Sequence, residues 1–243
     1  MKKILQAGLA IGLVSLCMTS SSVAGSLTVT SNNGTTNVTT ALTGFQTYGD
    51  MMDGMSVTAY FAGGGSETRS WTDTGSGAGG VTGTGWTLAE SGDTYGGYWT
   101  LTATSAIASI FIDAGTGDTV FDRTFSPYPG TSGSANGWDF SIVGVNNWDI
   151  TATYRDVVAL QGSDPVGDLF RTLTISFGSG SFGPGADTLA VGAASAMLTF
   201  VADTDNLSIS GDIRPEPVPE PTTMLLFGSG LVGLAAVGRR KRI

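Results

Sequence analysis

The sequence predicts an all-β protein: an antiparallel two-sheet sandwich or jelly roll, preceded by a signal peptide and followed by one short transmembrane helix. Three observations carry this. Apolar and polar residues alternate with period two over many runs of four to eight residues. The runs are separated by Gly, Asp, Asn and Ser, and no stretch of the body shows a convincing helical period. A sheet with one wet face must cover its dry face, and a second sheet does so most simply. The 243 residues suffice for one β-rich domain or at most two small ones. Hydrophobic residues at 41% and five tryptophans supply core material, unlike a disordered polar chain.

Residues 1–24 read as a signal peptide. Lys2 and Lys3 precede an apolar run from Ile4 to Met18, and small residues follow to Ser22-Val23-Ala24. Cleavage is expected between Ala24 and Gly25. The run is too short for a comfortable membrane span. Cys17 is the only cysteine, and Leu16 stands before it where a lipoprotein signal has a small residue. Cleavage leaves a chain without a thiol, so stability outside the cell rests on packing and sheet hydrogen bonds.

The body is placed at 25–212. It opens with a polar lead-in at 32–40, then strands at 55–62, 86–89, 98–104, 106–112 and 138–143. Around Trp148 the residues Trp148, Ile150, Ala152 and Tyr154 share one face, with Asp149, Thr151, Thr153 and Arg155 on the other. The next strand, 169–177, has Leu169, Arg171, Leu173, Ile175 and Phe177 on one face and a hydroxyl-rich opposite face. Runs at 197–202 and 207–210 complete the set. Long loops are expected at 63–66 and 75–85. No fixed-period repeat argues for a solenoid.

After the body comes a stalk at 213–221 with prolines at 215, 217, 219 and 221, which cannot enter helix or sheet interiors. Residues 222–238 form an apolar segment of seventeen residues, roughly 25 Å as a helix against a hydrocarbon core of ~30 Å. Snorkelling basic side chains make up the difference. Arg239, Arg240, Lys241 and Arg242 form a stop-transfer cluster in a cytoplasmic tail at 239–243, which puts stalk and body outside.

Composition removes whole classes of function. Six of the eleven cations lie in the first three or last five residues. The intervening chain keeps five arginines and no lysine against all twenty acids, a net charge of −15. Nucleic-acid binding needs a basic face, and this chain has none. With no histidine in the chain, Ser-His-Asp triads, Cys-His pairs and histidine metal sites are excluded. A carboxylate pair, as in glycoside hydrolysis, is the remaining catalytic option, but twenty acids provide close pairs by chance.

No metal site is assigned. The nearest to calcium ligands are Asp113 and Asp118, and Asp203 and Asp205, oxygen donors in tight turns. Neither segment fits an EF-hand loop, and Asp and Gly are the ordinary choice at β-turns. Trp138 and Trp148 alternate with polar neighbours as core residues do, whereas Trp71, in Ser-Trp-Thr-Asp, is the least core-like. Packing in a core or loop is expected of each, ahead of stacking on sugar rings.

The order Pro-Glu-Pro, short Gly/Leu-rich helix (224–237) and terminal basic cluster resembles the PEP-CTERM sorting domain over residues 217–243. The resemblance implies export by a Gram-negative bacterium that also makes exopolysaccharide. It also implies recognition of the tail by an exosortase, a membrane-embedded, cysteine transpeptidase-like enzyme. Pro219, Glu220 and Pro221 would be the recognition triplet, with Pro215-Glu216-Pro217 part of the stalk. Body segments such as 113–122 and 130–137 loosely resemble those of other PEP-CTERM proteins, without assigning an activity. The expected function is then a non-enzymatic surface or matrix protein, held at the inner membrane by its helix and associated with extracellular polysaccharide. A lectin-like carbohydrate-binding module, with or without calcium, and a carboxylate glycosidase are the alternatives. An uncut C-terminal anchor is the alternative to processing.

Overall fold

The computed structural model describes residues 25–44, 46–123, 130–134, 136–144, 148–178, 181–184 and 195–215. The expected signal peptide with Ala24, the sorting triplet Pro219-Glu220-Pro221, the membrane helix and the basic cluster at 239–242 lie outside them. No helix among the described residues is long and apolar enough to cross a membrane.

In chain order the strands are β1 (Leu27–Asn32), β2 (Asn37–Thr39), β3 (Leu42–Thr43), β4 (Ser56–Phe61), β5 (Ser66–Ser70) and β6 (Thr72–Gly75). They continue with β7 (Ala78–Gly83), β8 (Trp86–Ser91), β9 (Tyr98–Ala103), β10 (Ile107–Asp113), β11 (Thr119–Asp122) and β12 (Ser141–Ile142). Last come β13 (Ile150–Leu160), β14 (Leu169–Phe177), β15 (Ala196–Val201), β16 (Asp203–Leu207) and β17 (Arg214–Pro215). The only helical elements among the described residues are 3₁₀ turns at Gly49–Met51 and Ala114–Gly117.

Two sheets result, as the alternation requires. The larger has the order β17-β2-β13-β14-β10-β4-β5, with β1 on β13 and β11 running from β14 to β16 and on to β3. The smaller runs β12-β15-β9-β8-β7-β6. Pairing is antiparallel except where β1 and β2 join the two halves of β13 in parallel. The sheets share one core: Ile110, Tyr154 and Ile175 from the larger meet Leu88, Trp99 and Phe200 from the smaller. Trp99 is central, its ring 5.9 Å from Phe200 in a stacked arrangement and 5.3 Å from Trp71.

The face assignment around Trp148 holds: Trp148, Ile150, Ala152 and Tyr154 are buried. Strand 169–177 falls where expected, but Phe170 and Thr172 on its hydroxyl face are buried too. Phe170 packs into the main core with Phe121 and Tyr154, and Leu169 into a second cluster with Leu42, Val120, Val158 and Leu207, so both faces are covered at this end of the strand.

Several expectations change. The polar lead-in at 32–40 contains β2, fully buried because β13 and β17 pair with it on both sides. The sheet thus runs beyond Asp212 to Pro215 in the first part of the expected stalk. The loop at 75–85 is largely strand β7. Its glycines admit close packing: a Cβ on Gly79 would lie 2.2 Å from Trp71 Nε1 and 2.1 Å from the Gly49 carbonyl oxygen. The loop at 63–66 is a tight hairpin in which Gly64 and Gly65 have φ of 92° and 82°. The strand at 207–210 ends, rather than begins, at Leu207, and the one at 138–143 shrinks to β12.

Candidate functional site

Strand β16 reads Asp-Thr-Asp, and its period of two puts Asp203 and Asp205 on one face and Thr204 on the other. Thr204 turns to the core, its hydroxyl 3.6 Å from Met52 Sδ. Antiparallel pairing with β11 then sets Asp122 directly opposite Asp203 and Val120 opposite Asp205. Carboxyl oxygens of Asp122, Asp203 and Asp205 all lie within 4.8 Å of one another. The three residues are 1%, 5% and 3% exposed. Like charges facing each other across a strand pair are destabilising, and burial deepens that cost.

Hydrogen bonds offset it only in part. The Ser134 hydroxyl donates to Asp122 Oδ2 at 2.7 Å. Asp203 Oδ1 accepts from the Thr94 hydroxyl and the Thr204 N–H, each at 2.9 Å. Asp205 Oδ2 is buried, and no N–H or hydroxyl of the described residues reaches it. Two glycines make the enclosure: a Cβ on Gly44 would lie 2.5 Å from Asp205 Oδ2, and one on Gly137 2.4 Å from Asp122 Cγ. A fourth acid, Asp168, is fully buried nearby and takes the Thr131 N–H and hydroxyl at 2.5 and 2.7 Å.

Burial, reinforced by the charge of Asp205, pushes the Asp122 carboxyl up to about 9. Burial and the same neighbour raise Asp203 to about 7. Burial raises Asp205 to about 7 against the pull of Ser134, with Asp168 adding to the rise. Arg123, next in sequence to Asp122, is engaged elsewhere: it pairs with Asp139 at 2.9 Å and lies 4.9 Å over the Tyr154 ring.

Beside Asp203 and Asp205 is a void of about 10 Å³, bordered by Gly44, Thr47, Asp93 and Tyr95. That is room for about one water-sized sphere, so a sugar ring has no path to these carboxylates. Three buried, mutually close oxygens can hold protons or a hard cation. Outside the void, Tyr95 and Trp138 are 45% and 44% exposed and meet edge to face at 5.8 Å. Both are tied to the acids. The Trp138 carbonyl accepts the Asp203 N–H at 3.2 Å, and Thr94 precedes Tyr95. On the other flank, the outer face of the smaller sheet carries a groove of about 520 Å³ lined with threonines, among them Thr72, Thr82, Thr87 and Thr100.

Of the four aspartates expected as oxygen donors, only Asp203 and Asp205 come together. Asp113 is taken by a two-pronged pair with Arg171, both bonds 2.8 Å. Asp118, in the left-handed region at φ 56°, instead accepts from the Ser210 hydroxyl and the Gly211 N–H. Asp122 was not foreseen, because its place depends on which strand pairs with β11. Trp138, which alternates with polar neighbours as core residues do, instead stands ahead of β12 in a loop, exposed, with its Nε1–H on the Ser141 hydroxyl at 3.1 Å, whereas Trp71 is fully buried with its Nε1–H on the Gly49 carbonyl at 2.8 Å. Gly25, the expected first residue after cleavage, abuts the Trp148 backbone.

Residues 217–242 match the PEP-CTERM protein-sorting motif. The chain therefore carries a C-terminal sorting signal, which implies export and processing of the exosortase type. No curated protein and no solved structure matches the chain.

Proposed function

We propose that this is an exported, non-enzymatic cell-surface or extracellular-matrix protein associated with exopolysaccharide. A signal peptide at 1–24 delivers it, the helix at 222–238 holds it at the inner membrane, and an exosortase-type enzyme processes it at Pro219-Glu220-Pro221. The observation that carries this reading is the sorting motif at 217–242. Its non-enzymatic side is supported by the absence of histidine and by the enclosure of the one tight carboxylate cluster among the described residues. The test is the intact mass of the native protein taken from the polysaccharide fraction of its host. A chain starting at Gly25 and ending near Pro219-Glu220-Pro221 is expected. A chain running to Ile243 in the membrane fraction would overturn the processing.

The Tyr95–Trp138 pair favours a second, compatible reading, in which the body binds a glycan of that layer. The two rings stand at 88° to each other, so each offers its own exposed apolar face for a sugar ring to stack against. Replacing both by Ala is expected to weaken retention on the host polysaccharide at least tenfold while lowering Tm by no more than about 5 °C, since both rings are half-exposed. Unchanged retention would remove this reading.

A further inference from the structure

We propose that Asp122, Asp203 and Asp205 form a calcium site that latches β11 to β16. Geometry gives the first argument. The carboxyl oxygens lie within 4.8 Å of one another, a spacing at which one ion with oxygen ligands at ~2.3–2.6 Å bridges them. The second is Asp205 Oδ2, a buried carboxylate oxygen that no N–H or hydroxyl of the described residues satisfies. Buried polar atoms ordinarily find a partner, and one without it points to a missing ion or water. The third is the surrounding space. Gly44 and Gly137 approach within a distance that any side chain would block, and the adjoining void of about 10 Å³ admits something of atomic size.

The donor set selects the ion. All candidate ligands are oxygens: three carboxylates, with the Ser134 and Thr94 hydroxyls already at 2.7 and 2.9 Å from two of them. Thiolate or imidazole metals have nothing to bind, since the chain holds no histidine and its one cysteine is at position 17. Calcium accepts irregular oxygen shells, whereas magnesium demands a near-octahedral one and keeps several waters.

The test uses the full 243-residue chain, purified in detergent, stripped with EDTA and followed by thermal unfolding and calorimetric titration. One calcium per chain is expected, with Kd near ~10⁻⁴–10⁻³ M, as in extracellular modules. Calcium at ~100-fold over Kd is expected to raise Tm by roughly 5–10 °C, and magnesium by much less. Asp205→Asn and Asp122→Asn keep shape while removing charge. Each is expected to weaken calcium binding at least tenfold, yet to melt in EDTA at or above the wild-type Tm, because one repelling charge is gone. Asp73→Asn, at an exposed position outside the cluster, keeps the full calcium response. The proposal is overturned if calcium leaves the wild-type Tm unchanged, which would mean that the acids hold protons among themselves. A shift that survives in both variants, or an equal one with magnesium, overturns it as well. The outcome is independent of whether the tail is processed, which the intact mass decides.

Discussion

Glu90 is the clearest case of one residue setting a property of the fold. Trp86, Leu88 and Glu90 point inward along β8, so the carboxyl group enters the core at 1% exposure, and neither oxygen has a hydrogen-bond partner of ordinary geometry among the described residues. Burial, with the charges of Asp93 and Asp50, raises its pKa to about 8. The folded chain therefore holds a proton there between pH 4.5 and 8 that the unfolded chain has released. This contribution is fully present below pH 4.5 and is lost as pH rises to about 8. Glu90→Gln is expected to raise stability by about 1–3 kcal/mol at pH 9, the scale of one unsatisfied buried group. The gain should vanish below pH 4.5, as urea unfolding at the two pH values will report. The inward parity is readable in the sequence, but the alternation there marks a strand only as far as Ala89, two residues short of the end of β8 at Ser91. Asp203 and Asp205 were likewise readable from their spacing. Asp122 was not, since a partner 81 positions away in the chain leaves no trace in local pattern.

At the scale of elements, the two sheets are clasped at their margins as well as through the core. Glu67 on β5 of the larger sheet accepts the Thr84 N–H at 2.7 Å and the Trp86 Nε1–H at 2.9 Å, both from the β7–β8 hairpin of the smaller one. Those bonds, Thr84 first, hold its carboxyl at about 2. The stabilisation is present above pH 4.5 and is lost as pH falls towards 2. Glu67→Gln is expected to lower Tm at pH 7 and leave it unchanged at pH 2; a variant equally destabilised at both would show that the charge is irrelevant. Elements with strong alternation, such as 148–155 and 169–177, were legible. Those rich in glycine were not: β7 looks like a loop because its small residues answer to Trp71 and the Gly49–Met51 turn, which are tertiary neighbours. Short β2 was hidden for the same reason, since two flanking strands, not its own composition, bury it.

At the scale of the whole molecule, the class of fold follows from periodicity and turn residues, while the strand order does not. The exposed margins of the two sheets are polar. Edge strand β5 reads Ser-Glu-Thr-Arg-Ser and edge strand β6 Thr-Asp-Thr-Gly, and charged, polar edges resist pairing with other chains. The pairing of the first strands carries a further consequence. β1 pairs with β13, β2 with β13 and β17, and β3 with β16. A chain emerging from its amino end thus cannot close the larger sheet until residues past 200 have arrived, and sheets of such long-range pairing fold slowly. A chain that crosses a membrane amino end first would thus complete its larger sheet only on the far side.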